Sequence, residues 1–373
     1  MSEKIAVIGG GQLARMMVAP AVALNLDMHV LVEDDHSSAA QVTPKRLVGS
    51  PKDLAAMQKI AQDCAVMTFE HEHIPAHVLE ALGEKVDIHP SPQALIHAQD
   101  KAVMRRRLNQ IQAPQPRWKL AHSLQQVEEF GNDVGWPIIA KTPTGGYDGK
   151  GVQVVSAASE VAPWIEQGPV LVEEKVDFDR ELAVLLARSP GGEVAHWPVV
   201  ETKQENGVCS QVLAPAPNLA PALSERAQEV GTMIANALGV TGVLAVEMFE
   251  RDGHILVNEL AMRPHNCGHW TIEGAVTSQF EQHLRAVLDL PLGDTTARAG
   301  CWVMQNLLGC DAPEATAGRR AALTRVPQAH VHLYGKEVRP GRKLGHVTVG
   351  AKDFETAIDL AQEATGILKR GGR

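Results

Sequence analysis

Short continuous apolar runs alternate along this chain with longer stretches in which apolar residues recur every three or four positions. The first pattern reads as buried strands and the second as helices. Lys4 to Ile8 predicts a strand, Gly9, Gly10 and Gly11 a turn, and Gln12 to Leu24 a helix that Pro20 should break. A second strand is expected over His29 to Val32, a helix over Asp53 to Asp63 and a strand over Ala65 to Phe69. Ser91 followed by Pro92 has the form of an N-cap with proline in the first turn. It opens one helix through about Ile111, with Leu95, Ala98, Ala102 and Leu108 inward. The alternation of strand and helix up to this point predicts an α/β parallel-sheet domain.

Beyond the Ala113 to Pro116 break the pattern becomes richer in strands. Pro137 to Lys141, Val152 to Val155, Val170 to Val176 and Leu182 to Ala187 are expected strands, the first two joined by a glycine-rich loop over 142–151. Gly242 to Phe249 and His254 to Glu259 form a hairpin around Asp252-Gly253. A two-residue turn there pairs Glu247 with Asn258, whereas a three-residue loop places Glu247 opposite Glu259. A helix over Ser278 to Leu288 should bury Phe280, Leu284 and Val287. From about Pro291 a small strand-rich segment ends in a helix near Phe354 to Leu368. No internal repeat or low-complexity tract interrupts this order.

At 373 residues with 45% apolar content, the chain can fill about two or three cores. Lysine and arginine number 35 against 44 acidic residues, a formal charge of −9, which excludes a general nucleic-acid surface. The start, MSEKIAVIGGG, enters a strand directly, and no apolar run reaches about 18 residues, so a cytoplasmic protein without membrane association is expected. Cys64, Cys209, Cys267, Cys301 and Cys310 include no CxxC pair, so reduced thiols are expected.

Charged residues in this acidic chain are therefore read locally. The stretch from Val257 to Gly274 packs Asn258, Glu259, Arg263, His265, Asn266, His269 and Trp270 just beyond a strand, which suggests a metal together with an anionic ligand. The second hairpin register serves a metal, because facing Glu247 and Glu259 could share Mg²⁺. Lys141 and Lys150 bracket a loop carrying Tyr147 and Asp148, whose backbone amides could wrap phosphate. Lys336, Arg339, Arg342 and Lys343 around a Pro-Gly turn form a candidate anion site. Lys101 stands as a phosphate contact, while Arg105, Arg106 and Arg107 read as a solvated face. Gly9-x-Gly11-x-x-Ala14 with Glu33 also fits a dinucleotide fingerprint, the basis of an alternative NAD-dependent oxidoreductase reading. His71, His73 and His77 admit a metal reading or simple exposure. Glu70, at a strand's carboxyl end, is better placed for a ligand.

In this order the segments GGGQLARM (9–16), TFE (68–70), QDK (99–101), GGYDGKG (145–151), NE (258–259), RPHN to EG (263–274) and PGRK (340–343) resemble the ATP-grasp superfamily. Within it they are similar to the 5-(carboxyamino)imidazole ribonucleotide synthase family of purine biosynthesis, over nearly the whole chain. The resemblance implies an α/β (α+β ATP-grasp) fold: a Rossmann-like parallel-sheet domain over 1–100, an ATP-grasp domain over 101–290 with a mobile lid near 115–176, and a small strand-rich domain over 291–373. It implies an ATP- and bicarbonate-dependent ligase that carboxylates aminoimidazole ribonucleotide through carboxyphosphate, giving ADP and phosphate, and a homodimer. Another ATP-grasp ligase acting on a nucleotide-like amine is the nearest alternative, and a catalytically silent nucleotide-binding regulator a more distant one.

By the same resemblance, Lys101, Lys141 and the loop Gly146, Tyr147, Asp148, Gly149, Lys150, Gly151 and Val152 hold ATP phosphates. The strand Glu173, Glu174, Lys175 and Val176 faces adenine, Glu181 takes the ribose, and Gln204 and Asn258 complete the nucleotide set. Glu247 and Glu259 bind Mg²⁺. Tyr147, Lys150, Arg263, His265, Asn266, Lys336, Arg339, Arg342 and Lys343 surround carboxyphosphate and the ribonucleotide, which Gln12 and Glu70 meet from the N-terminal domain. Asp148 is assigned proton handling, and Lys336 carboxyphosphate stabilisation. Ala261 stands where many ATP-grasp enzymes have a metal-shell asparagine, Met262 and Cys267 where this family often has proline and serine, and Ala14 replaces a glycine.

Overall fold

The structure, a computed structural model, describes residues 3–83, 85–146, 151–205 and 207–372. Three sheets organise it. The first is parallel and five-stranded, in the order Arg46–Val48, Asp27–Val32, Lys4–Ile8, Val66–Phe69, Asp87–Ile88. Successive residues of its central strand point to opposite faces, so Ile5 and Val7 enter one core and Ala6 and Ile8 another. Covering both faces is what makes the strand a continuous apolar run rather than an alternating one. The helix Gln12–Ala23 runs through Pro20 unbroken. Pro20 sits in its last turn, where its carbonyl still accepts from Leu24 and only one upstream bond is forgone.

The second sheet is antiparallel and four-stranded: Trp118–Ala121, Val170–Glu174, Ile138–Lys141, Val152–Val155. Helix Leu124–Val134 buries Val127 and Phe130 against it. The third has nine strands, running from His254–Ala261 through Gly242–Arg251, Arg180–Arg188, Val200–Glu205, Val208–Ala214, Cys301–Leu308 and Lys343–Ala351 to His330–Leu333, with Val194–His196 on the side. The C-terminal strands thus extend the central sheet rather than building one of their own, because Cys301–Leu308 pairs along Val208–Ala214. Helix Phe354–Lys369 closes that end with Ala357, Ala361, Ala364 and Leu368. The helix Pro221–Leu238 buries Ala227, Val230, Ile234, Ala235 and Leu238, a regular three-four spacing, against the strand Arg180–Arg188 and its neighbours.

Two polar-looking segments turn out to join these bodies. Helix Gln279–Val287 packs Phe280, Leu284 and Val287 into the core of the N-terminal sheet, as their spacing predicted. The expected single helix from Pro92 to Ile111 is two, Pro92–Gln99 and Lys101–Gln110. Asp100 breaks it by adopting an extended conformation and capping the second helix, accepting from the amides of Ala102 and Val103. The break lets Asp100 form a bridge to Thr144 and the Lys101 amide donate to the Pro143 carbonyl at 2.8 Å. The glycine-rich loop is thereby pinned at its start to the helix that carries Lys101.

Candidate active site

The hairpin that carries the paired glutamates is built from a two-residue turn. Asp252 and Gly253 both have positive φ, 52° and 72°, as a tight hairpin with strand-like twist requires. Arg251 faces His254, and the regular register holds to Met248 opposite Val257. A bulge then shifts it, so that Glu247 pairs with Glu259 and not with Asn258. The facing glutamates expected from a three-residue loop are therefore present, but the extra residue is Asn258 in the strand and not a loop residue.

Burial and then the Glu259 carboxylate push the Glu247 carboxyl up to about 8. Glu259 is more open, its side chain 48% exposed, and lies 3.8 Å from Lys101 Nζ. Hard oxygen donors set face to face in this way fit Mg²⁺, which takes carboxylates together with phosphate and water oxygens. Among the described residues no group of three or more His, Cys, Asp or Glu could hold a metal, so His71, His73 and His77 do not form such a centre. Glu181, raised by burial, is hydrogen-bonded with Gln204, which brings those two together beside the same sheet.

On the lysine side, Lys141 Nζ donates to Glu173 Oε2 at 2.8 Å and to Asn258 Oδ1 at 3.2 Å. Glu173 is 3% exposed, its carboxylate enclosed between Lys141 and Arg105. Its strand is not an edge: Glu173 pairs with Trp118 and Ile139, and Glu174 with Ile138, so backbone groups open to a purine begin at Lys175 and Val176. Arg105 corrects the reading of a solvated arginine face. It is fully buried and donates from Nε to Glu173 Oε1 at 2.7 Å. The signal was present in the periodicity, because Arg105 lies three residues from both Ala102 and Leu108 on the inward stripe.

The stretch after the hairpin faces the other way. Arg263 Nε lies 2.9 Å from Glu72 Oε1, joining it to the N-terminal domain. His265 Nδ1 accepts from the Cys267 amide at 3.4 Å and lies 3.2 Å from Cys267 Sγ, which leaves Nε2 as its N–H, 3.6 Å from Glu247 Oε1. Burial, reinforced by Arg263, holds this imidazole well below its ordinary range, so it is neutral. The Cys267 thiol is pushed well above its usual value by burial, which removes it as a nucleophile. Asn266 and Asn306 exchange amide hydrogen bonds at 3.1 and 2.8 Å.

The N-terminal glycine turn meets the same region. Gly11 and Ala14 donate their amides to the two oxygens of Glu70, at 2.5 and 3.2 Å. A carboxylate thus fills the helix end that a dinucleotide pyrophosphate would need, and a Cβ at Gly11 would strike both of its oxygens. This overturns the NAD-dependent reading. Lys336 Nζ donates to Gln12 Oε1 and lies 5.7 Å over the Tyr334 ring. Ser38 and Gln41 hold the carbonyls of Tyr334 and Gly335 at 2.6 and 2.7 Å. Arg339 is tied to Glu337 at 2.7 Å, and Arg342 Nη1 donates to the Glu337 carbonyl at 3.3 Å, while Lys343 opens the strand Lys343–Ala351. Gly146, Gly151 and Val152 flank the tip of the glycine-rich loop; Tyr147, Asp148, Gly149 and Lys150 lie outside the described residues.

A parallel-sheet domain, a small antiparallel sheet and a long sheet bearing paired glutamates, with Lys101 at one of them and Lys141 on the neighbouring Asn258, define an ATP-grasp enzyme. In agreement, the ribonucleotide synthetase preATP-grasp domain family matches residues 1–99, the ATP-grasp domain family 106–280 and the phosphoribosylaminoimidazole carboxylase C-terminal domain family 303–359. The chain is 48% identical over 377 residues to the N5-carboxyaminoimidazole ribonucleotide synthase of Mycobacterium tuberculosis, covering 98% of this chain and 88% of that one. It is 47% identical to that of Corynebacterium ammoniagenes, covering 98% and 91%. Crystal structures of the carboxyaminoimidazole ribonucleotide synthase of Aspergillus clavatus are also similar: with ATP, TM-score 0.90 at 36% identity, and with ADP and 5-aminoimidazole ribonucleotide, TM-score 0.90 at 35%, each covering 98% of both chains. The chain belongs to the N5-carboxyaminoimidazole ribonucleotide synthase family. No helix among the described residues is long and apolar enough to cross a membrane.

Proposed function

We propose that this chain uses ATP and bicarbonate to carboxylate the exocyclic amine of 5-aminoimidazole ribonucleotide, giving N5-carboxyaminoimidazole ribonucleotide, ADP and phosphate. The observation that carries the reading is the Glu247–Glu259 pair, with Lys101 and Lys141 on one side and His265, Arg263 and Asn266 on the other. A bicarbonate oxygen attacks the γ-phosphorus as the bond to ADP breaks. The amine then attacks the carboxyl carbon, the bond to phosphate breaks, and the amine gives up a proton. Mg²⁺ held by Glu247 and Glu259 supplies charge neutralisation at the phosphates.

The chain's own groups position and stabilise. Lys101, Lys141 and the 146–152 loop hold phosphates; Lys175 and Val176 offer backbone to the base; Glu181 and Gln204 take the ribose. His265, neutral, donates a hydrogen bond from Nε2 without adding charge. Arg263, Asn266, Lys336, Arg342 and Lys343 surround the anionic intermediate and the ribonucleotide phosphate, Gln12 and Glu70 frame the amine, and Asp148 takes the proton. The family resemblance supports a cytoplasmic homodimer of twice the 40.2 kDa chain mass, which sedimentation reads directly.

The test is substrate dependence. ADP release should require both bicarbonate and aminoimidazole ribonucleotide, and Glu247→Gln should cut kcat by about two orders of magnitude, the scale of losing one carboxylate ligand to the Mg²⁺ that would neutralise the reacting phosphates. Release that runs faster with glycinamide ribonucleotide and formate would replace the substrate assignment.

A further inference from the structure

Left to its two-residue turn, the hairpin would continue in register past Met248–Val257. Glu247 would then face Asn258, and Glu259 would turn to the opposite side of the sheet. The bulge that prevents this lies on His254–Ala261, which forms the edge of the nine-stranded sheet, with no strand among the described residues on its outer side. Arg105 supplies what a strand would have supplied. Its Nη1 donates to the Val257 carbonyl at 2.8 Å and its Nη2 to the Asn258 carbonyl at 2.9 Å, while the Val257 amide donates to the Pro114 carbonyl at 2.8 Å.

The same side chain reaches the lysine side of the site. Glu173 accepts from Arg105 Nε with one oxygen and from Lys141 Nζ with the other. Burial alone would raise this carboxyl, but the Lys141 ammonium and the Arg105 guanidinium outweigh it and hold it at about 2, so the bridge stays ionised. Lys141 also reaches Asn258 Oδ1, the side chain of the bulge residue itself. Bulge, bridge and lysine therefore form one closed network with Arg105 at its centre. Only a guanidinium, planar and with five N–H groups, can serve the three acceptors in these directions at once.

We propose that Arg105 is a positioning residue for nucleotide and metal: it holds the bulge that brings Glu259 opposite Glu247 and, through Glu173, sets the Lys141 ammonium. This rests on the reading of Lys141, Glu247 and Glu259 as the nucleotide side of the site. The two arms are separable. The carbonyl arm governs the carboxylate pair and hence the effect of Mg²⁺; the Glu173 arm governs Lys141 and hence metal-free affinity.

ADP binding by titration calorimetry, in Mg²⁺ and in EDTA, reads both arms without turnover. Wild-type protein should bind ADP about tenfold more tightly in Mg²⁺. In R105K that enhancement should shrink to within about twofold and the metal-free affinity should fall about tenfold, a scale set by one buried charge-assisted contact. R107K, on the same helix with its guanidinium on the Ala237 carbonyl, should keep both values. Should R105K not fold, Glu173→Gln tests the division: it leaves both carbonyl bonds in place, so it should keep the magnesium enhancement while losing metal-free affinity. R105K that retains the enhancement, or Glu173→Gln that loses it, overturns the proposal. Wild-type protein that binds no ADP in either condition overturns the nucleotide reading of the site, and this inference with it.

Discussion

His283 fastens the N-terminal domain to the central sheet through a single protonation state, and pH should expose it. The ring is fully buried on helix Gln279–Val287. Its Nδ1 accepts from the Val243 amide at 3.1 Å, so the neutral ring carries its proton on Nε2, 2.8 Å from Thr68 Oγ1. Protonating Nδ1 would set one N–H against another. Burial, and then the neighbouring His89, push the group down to about 3. The folded pKa is depressed relative to an unfolded value of about 6.5, so the unfolded chain binds the extra proton between these limits. Stability tied to this group is therefore lost as pH falls through that window, at roughly 1.4 kcal/mol per pH unit once well below 6.5. Between pH 7 and pH 5.5 the loss is about 1.2 kcal/mol from this residue alone. In His283→Asn the amide oxygen can still accept from Val243, but Thr68 loses its partner, at a cost of about 1–3 kcal/mol at neutral pH. Urea unfolding followed by fluorescence of the buried Trp197 and Trp270 measures both proteins across this range. The stability difference between wild type and variant should narrow by about 1.2 kcal/mol from pH 7 to 5.5. A difference that stays constant with pH would mean that His283 titrates alike in both states, and the neutral-clamp reasoning would be wrong.

Gly11→Ala tests the glycine turn: its φ of −80° suits alanine, so the effect is steric, the new Cβ striking the Glu70 carboxylate. The KM for the ribonucleotide should rise on the order of tenfold, the scale of one charge-assisted hydrogen bond, with the KM for ATP within about twofold. Cys267→Ser should keep activity within about threefold, because a hydroxyl can donate to His265 Nδ1 as the thiol does; steady-state kinetics showing a loss beyond about a hundredfold would point to thiol chemistry instead.

What the sequence made legible was local in origin. The strand, glycine turn and helix at the N-terminus, the Asp252-Gly253 turn and the buried face of Gln279–Val287 each follow from neighbours within a few residues. The bulge does not, because Arg105, the side chain that occupies its carbonyls, lies 152 and 153 residues away from them in the sequence. Arg105, Arg106 and Arg107 are chemically identical in a row, and only helical periodicity separates the buried Arg105 from the exposed Arg106 and the half-buried Arg107. The break at Asp100 was hidden for a related reason: an Asp in a helical pattern reads as a surface residue until the loop at Thr144 gives its extended backbone a partner. That Glu173 faces inward is likewise a long-range fact, set by Arg105 and Lys141, which lie 68 and 32 residues before it and take one carboxylate oxygen each.

The polar contacts between remote segments divide into two kinds, and the division bears on how the site works. Those that hold the framework are satisfied: Glu70 by two amides, Glu173 by two cations and His283 by a donor and an acceptor. Each ties a segment to one far away in sequence, so none of these side chains is free to move toward a ligand without breaking a buried bond. Glu247 is different. It faces a like charge, it is raised by burial and by that charge, and its cationic neighbours Lys343 and Arg263 only partly offset both. The framework thus holds Glu247 where burial and the Glu259 carboxylate keep it protonated at neutral pH, and a cation that displaces that proton is favoured more at a rigid site than at a flexible one, where the side chains would simply separate. The magnesium ion proposed for this site would gain from replacing the proton on Glu247, and the placement of Glu259 that lets both carboxylates reach it rests on the bulge whose carbonyls Arg105 holds.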